Sequence, residues 1–483
     1  MSVTRQVFYN TILQSVGKIL SVVIGLVAIG LTTRYLGDKG YGEYTTVISF
    51  MGFFGVIADL GLYLVATKKI SEPGASEQKI MSGVFGLRIV TVVLVLIAGS
   101  LLGLLFPYSH QIKSAMFIGI AAFAFVSATQ ALIGIFQKYL VYYQVVASET
   151  IQRLVMLGGT VLAISFGMDL VGFIWVLVAA NGVHFLICLV LARKLIPFRL
   201  SVDLAYWKEI LRESWPLGFS VILNLIYFRA DTLILSVFRS PAEVGIYGLP
   251  YKILEILVAF PAMFAGLIMP ILSRHVFTEH ERYKMYLQKS LDAVLLAIIP
   301  IVTVTIYFAR SIINLVGGDG FANADQVLQI LIFAVAVMYL GNLFGHTVVA
   351  VGAQKRMVKG YLAGAIVGLA LYVLLIPKYS YFGAATATII VELVVFLYAY
   401  FLTSKVSNFY PTFSIVFKGL LAGIPMVAAY QYLNLNWMIE AVLGLILYAG
   451  MLILLKAIPL EFIREVGSLR ASPPHEGEIK RGS

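Results

Sequence analysis

The sequence predicts an all-α polytopic membrane protein of about 14 transmembrane helices, arranged as two pseudo-symmetric six-helix lobes plus two C-terminal helices. Three observations carry this prediction. First, 60% of the 483 residues are hydrophobic and only 12% are charged, with a mean hydropathy of +0.94, a composition of membrane-spanning rather than water-soluble chains. Second, apolar runs of about 20 residues, the length that crosses a hydrocarbon core, recur along the whole chain. Third, a polar, Gly-rich cue at Gly37 to Tyr44 (GDKGYGEY) returns at Pro241 to Tyr247 (PAEVGIY). Gly42 and Tyr44 map onto Gly245 and Tyr247 at one offset of 203 residues. Each copy reads as a hairpin between two long helices. Its Gly supplies positive φ or close backbone approach, and its Tyr opens the returning helix at interface depth. A matched first hairpin in each half is the mark of an internal repeat.

In order, the expected spans of the first lobe are 9–33, 43–67, 81–106, 113–136, 141–166 and 169–192. Those of the second lobe are 215–238, 245–271, 286–309, 326–350, 358–376 and 382–403, followed by 413–433 and 438–456. The separators carry turn chemistry, among them Ser71–Glu72–Pro73–Gly74, Gly317–Gly318–Asp319–Gly320 and Pro377–Lys378–Tyr379. The first span is long and others follow it, so it reads as a membrane helix rather than a cleaved signal. The resulting domains are an N-lobe (1–194), a cytoplasmic amphipathic linker (195–214), a C-lobe (215–405), spans thirteen and fourteen (406–458) and a cytoplasmic tail (459–483). The linker prediction rests on Leu204, Trp207, Leu211 and Trp215 at helical spacing against Asp203, Lys208, Glu209 and Arg212. That pattern suits a helix lying on the leaflet surface.

Charge placement orients the chain. With the N-terminus cytoplasmic, 24 Lys and Arg fall in cytoplasmic segments, 6 in outer segments and 5 within spans. This positive-inside bias puts both termini in the cytoplasm. It also accounts for the net charge of +11 without a nucleic-acid partner, which would need a soluble basic face. The one cysteine, Cys188, permits no intramolecular disulfide and no cysteine zinc site. The chain has no GxxxxGK[ST], HExxH or GxSxG motif, and its six histidines are scattered, so neither a nucleotide, a metal nor a cofactor is expected.

Ionisable residues within spans are the informative ones, because each is costly in lipid unless paired or wetted. Glu149 with Arg153 (i,i+4) and Lys252 with Glu255 (i,i+3) read as local pairs. Lys18, Arg88 and Arg229 have no partner at helical spacing and read as cations lining a central cavity, suited to an anionic headgroup. Snorkelling, or pairing with a carboxylate such as Asp59, is the competing fate of these three. Asp231 and Asp292 are intramembrane carboxylates without a partner at i±3 or i±4, the candidates for a coupling cation, with structural pairing to Arg229 or another helix as their competing fate.

The stretches NTILQSVGKIL, TRYLGDKGYGEY, ADLGL and RADTLILSVFRSPAEVGIYGLPYKILE, followed by MPILSR, resemble the polysaccharide-transporter or Wzx-type flippases of the multidrug/oligosaccharidyl-lipid/polysaccharide (MOP) exporter superfamily. The resemblance spans the chain and is most specific in the first two helices of each lobe. It implies two six-helix lobes in a V like that of MATE exporters, alternating access, and no enzymatic activity. The implied partner is a polyprenyl-diphosphate-linked oligosaccharide moved from the cytoplasmic to the outer leaflet, with proton or sodium coupling known in the superfamily. Proton- or sodium-coupled multidrug exporters often carry an acidic residue in the first helix, whereas residues 10–33 contain no Asp or Glu and carry Lys18. Lipid II flippases carry several arginines in the first two helices, and this chain has only Arg34 beside its first span. A membrane glycan polymerase or transferase would need a long outer loop, and the expected outer loops are short.

Overall fold

The structure, a computed structural model, describes residues 3–457, with side chains described from residue 17 onward except at positions 19, 217 and 220. The tail expected over 459–483 and the side chain of Arg5 lie outside the described residues. Among the described residues, twelve helices are long and apolar enough to cross a membrane. Two of them are hairpins fused by a single non-helical residue. One breaks at Gly37 (φ 67°) and the other at Ser380 (φ 51°). Around Ser380, Gly360, Gly364, Gly368 and Gly383 pack on Tyr398, Val395, Val391 and the Leu375 carbonyl in turn, the pattern of two antiparallel helices.

Fourteen spans result, all helical among the described residues. They are α1 (3–36), α2 (38–71, interrupted at 58–61), α3 (Glu77–Gly103), α4 (His110–Lys138), α5 (Tyr143–Ser165), α6 (Leu170–Leu195) and α7 (Leu204–Phe238). The others are α8 (Pro241–His275), α9 (His280–Gly317), α10 (Ala324–Ala350), α11 (354–379), α12 (381–407), α13 (Ser414–Tyr432) and α14 (Trp437–Leu454). One apolar core fills the second lobe, and a separate one joins α2, α3, α4 and α6 to the start of α8 and α10 and the end of α9. The last two helices pack on each other and on α9, where Ile299 fills the space beside Gly419 and Phe308 meets Tyr430 edge to face.

The two Gly-rich copies meet. A Cβ built on Gly42 would lie 1.7 Å from the Pro241 carbonyl oxygen, and one on Gly245 would lie 2.0 Å from the Asp38 carbonyl oxygen. These contacts are reciprocal under the 203-residue offset, so α2 and α8 cross on the pseudo-symmetry axis. The sequence reading placed a loop here. Only Gly37 leaves the helix, and the remaining residues of the motif form the first turns of α2, because the glycines serve close approach rather than a turn. Tyr44 and Tyr247 are buried within the protein (6% and 0% exposed). The same end is tied by Thr33 to the Val316 carbonyl (3.0 Å), Arg34 to the Leu315 carbonyl (2.8 Å) and Tyr108 to Ser236 (2.8 Å).

The expected linker differs in form. Residues 196–203 are non-helical, and the helix that starts at Leu204 runs without interruption through Pro216 into α7. Its apolar face docks on the ends of α2 and α3 rather than on lipid. Trp207 donates from its indole nitrogen to the Gly83 carbonyl (3.0 Å), and Ile210 is fully buried against Leu62, Val65 and Leu87. Leu204 and Trp215, assigned to the same face, are exposed. Lys69 bridges Glu213 (2.9 Å) and Glu209 (3.3 Å) beside this contact.

Candidate functional site

Between the lobes lies a cavity of 250 Å³ lined from α1, α2, α4, α5, α6, α7 and α8. Arg153 reaches it from the N-lobe and Arg229, Lys252 and Glu255 from the C-lobe. A neighbouring cavity of 220 Å³ shares Ile48, Ser49, Phe123, Val126 and Arg229 with it. The crossing of α2 with α8 closes the end beyond Tyr41 and Gly248.

The charges form two triads, one per lobe. In the N-lobe, Lys18 of α1 and Arg153 of α5 share Glu149, at 2.8 Å and 3.8 Å. In the C-lobe, Arg229 of α7 and Lys252 of α8 share Glu255, at 2.5 Å and 2.7 Å. Each triad carries one uncompensated positive charge. Both keep their cations accessible: side-chain exposure is 47% for Lys18, 34% for Arg153, 36% for Arg229 and 43% for Lys252. The Arg229 guanidinium also lies over the rings of Phe228 and Tyr251, at 5.7 and 5.9 Å, which sets its direction. The two local pairs read from spacing are present, and each carboxylate has a second cation from another helix that spacing could not reveal.

Arg88 is not at this cavity. It is 1% exposed, paired with Asp59 and hydrogen-bonded to the Ser127 carbonyl and Gln130. The expectation that it lines a wetted cavity gives way to a buried ion pair at the α2 interruption, where Leu60 and Gly61 take positive φ. Asp231 is fully buried in the C-lobe. It accepts from the Tyr247 hydroxyl (2.6 Å), the Thr232 backbone (2.6 Å) and Thr388 (3.4 Å), with no cation among its contacts. Asp292 lies elsewhere, held by Gln288 (2.7 Å), which itself binds Thr412 in the connection to α13. Sequence reasoning missed Tyr247 and Thr388 as partners of Asp231; the 203-residue repeat singled out Tyr247, though not for this role. No cluster of His, Cys, Asp and Glu with metal-binding geometry occurs among the described residues.

A family model for polysaccharide biosynthesis proteins matches residues 4–276, more than half of the chain. The chain belongs to the polysaccharide biosynthesis protein family. This polysaccharide biosynthesis protein also matches the MatE family model over residues 216–376, which cover most of the C-lobe. It is 23% identical over 450 residues to the low-salt glycan biosynthesis flippase Agl15 of Haloferax volcanii, covering 89% of this chain and 91% of that one. It is 22% identical over 413 residues to an O-antigen transporter of Shigella flexneri, covering 78% and 92%. Among solved structures, the lipid II flippase MurJ superposes with a TM-score of 0.77 at 15% identity, over 94% of this chain and 99% of that one. An inward-facing MATE transporter gives 0.64 at 13% identity, over 80% and 95%. The fold is therefore that of the MOP superfamily, and this is a multi-pass membrane transporter rather than an enzyme.

Proposed function

We propose that this protein carries a polyprenyl-diphosphate-linked oligosaccharide from the cytoplasmic to the outer leaflet of the cell membrane, by exposing the cavity between its lobes to each side in turn. The observation that carries this reading is the pair of triads. Arg153, Arg229, Lys252 and Glu255 line the cavity with a net charge of +2, and Lys18 joins them through Glu149, off the lining. A diphosphate crossing a low-dielectric layer needs compensation of that sign, and Arg153 and Arg229 have the planar donor geometry that phosphate oxygens accept. The relatives named as a glycan flippase and an O-antigen transporter support the same substrate class. A cationic drug would meet repulsion in this cavity, which disfavours export of such drugs despite the MATE-like fold. Arg88 takes no part in headgroup binding, since it is enclosed with Asp59. Asp231 handles the coupling proton or sodium: it is a buried carboxylate held only by neutral hydroxyl and backbone donors. Asp292 is the weaker candidate, lying beside the α12–α13 connection.

The test is flipping of a fluorescent lipid-linked oligosaccharide in proteoliposomes, with and without an ion gradient. Arg229→Ala and Lys252→Ala are expected to lower the rate at least about tenfold, the loss of one charge-assisted hydrogen bond. Asp231→Asn is expected to leave a slow rate that no gradient accelerates. Parent rates in folded Arg229→Ala and Lys252→Ala proteins would overturn the cationic site, and a retained gradient response in Asp231→Asn would remove Asp231.

A further inference from the structure

The face of α8 that carries the C-lobe triad continues past it. Gly248, Lys252 and Glu255 line the cavity between the lobes, and Val258, three residues on, lines a second cavity. This one has a volume of 370 Å³ and lies within the C-lobe, between α7, α8, α10, α11 and α12. The two cavities share no lining residue, but a single ring stands between them. Phe228 lines the second cavity, and the Arg229 guanidinium lies over that ring at 5.7 Å.

The lining suits an uncharged ligand rich in hydroxyls. No Lys or Arg belongs to it, so it is not another anion site. The floor is one face of α10, with Met338, Asn342, Gly345, His346 and Val349 at helical spacing. A Cβ on Gly345 would meet nothing within 4 Å, which leaves room above it. Donors and acceptors stand together around this floor. Asn342 gives one amide N–H to the Met338 carbonyl (2.8 Å), and Asn224 of α7 gives one to the Tyr227 hydroxyl (2.9 Å). Each amide keeps its other N–H and its oxygen, and Tyr227 keeps its O–H. His346 donates from Nδ1 to the Asn342 backbone carbonyl (2.9 Å), which leaves Nε2 as an acceptor. The Tyr361 hydroxyl of α11 and the Glu392 carboxyl of α12 have no hydrogen-bond partner among the described residues. The rings of Tyr227 and Tyr361 stack at 6.1 Å and 11°, an aromatic wall with polar tips. A sugar is the complement of such a lining: its hydroxyls both donate and accept, and its C–H faces pack on rings. The volume falls in the ordinary range for small-ligand sites.

We propose that this cavity binds the first sugar of the transported glycan, a neutral hexose or N-acetylhexosamine. The proposal rests on the flippase reading, because the sugar bonded to a diphosphate at Arg229 is the part of the substrate that reaches past Phe228. An acidic sugar would meet Glu392 with no cation to balance it. The test is calorimetric binding to purified full-length protein in detergent. The probes are farnesyl diphosphate alone and farnesyl diphosphate linked to glucose, to N-acetylglucosamine or to glucuronic acid. At least one neutral sugar is expected to tighten binding about tenfold or more over farnesyl diphosphate, the gain of one or two hydrogen bonds. Glucuronic acid is expected to give no gain. Asn342→Ala and the cavity-filling Gly345→Leu are expected to remove most of the gain and to bind farnesyl diphosphate like the parent. Arg229→Ala is expected to weaken every probe and to keep the gain. If farnesyl diphosphate binds and neither neutral sugar adds to it, or if the gain survives in Asn342→Ala and Gly345→Leu, the sugar site is overturned and the cationic site stands. An equal gain from glucuronic acid overturns the neutral assignment. A parent protein that binds none of the probes overturns the flippase reading and this site with it.

Discussion

Arg88 and Asp59 show how a residue's role depends on a neighbour that helical spacing cannot reveal. Both side chains are enclosed where α2 is interrupted, with Arg88 also donating to the Ser127 carbonyl. Arg88→Ala is expected to leave Asp59 uncompensated and to destabilise the fold by about 3–5 kcal/mol. Replacing both residues with apolar ones of similar volume, Asp59→Leu with Arg88→Met, is expected to restore most of that loss. Thermal unfolding of the detergent-solubilised variants checks this, and equal instability of the single and double variants would contradict it. At this scale the sequence is half legible. Spacing of three and four residues reveals Glu149 with Arg153 and Lys252 with Glu255. It cannot reveal that Lys18 and Arg229 complete the same carboxylates, because their helices come together only on packing.

Among the elements, the extension of α7 is the one whose environment the sequence misassigned. Its amphipathic pattern is real, but an apolar face does not say whether lipid or protein will cover it. Here α2 and α3 cover it, through Trp207 and Ile210. This couples the first helix of the C-lobe mechanically to the N-lobe. Gly218 of α7 also lies against the Leu60 backbone at the α2 interruption, so the two irregular points are adjacent. The salt bridges beside the dock add little, since Glu209 and Glu213 are 64% and 36% exposed. The hydrogen bond from Lys69 to Glu213 raises the lysine pKa above its ordinary value, so this contribution is complete at neutral pH and is lost only as pH rises through that raised value. Trp207→Ala is therefore expected to release the extension, at a cost of about 3–5 kcal/mol. Proteolysis at residues 196–203 should become faster in the variant, whereas Lys69→Ala should cut like the parent.

For the whole molecule, topology was the most legible property. Alternating apolar runs and turn residues mark fourteen spans, and the described residues form fourteen. The orientation proposed from the 24-to-6 charge bias makes a direct prediction. In a Cys188→Ser background, a membrane-impermeant thiol reagent applied outside intact cells is expected to label Asp319→Cys and to miss Val202→Cys. The reverse pattern would invert the direction of transport. Which end of the lobes is closed was not legible, because composition is the same in either state of a moving V. That is decided at Gly42 and Gly245, where α2 and α8 touch backbone to backbone. Side chains that interdigitate form a ratchet, and each must change rotamer before the faces separate. Two glycine faces form a seam instead. At the two glycines the seam excludes water by proximity alone, and no side chain there has to be unthreaded when the lobes part. The work of opening then falls on what surrounds them: the apolar contacts between the lobes, such as Tyr41 against Phe321, and the ties of Thr33, Arg34 and Tyr108 with their partners, which act as clasps.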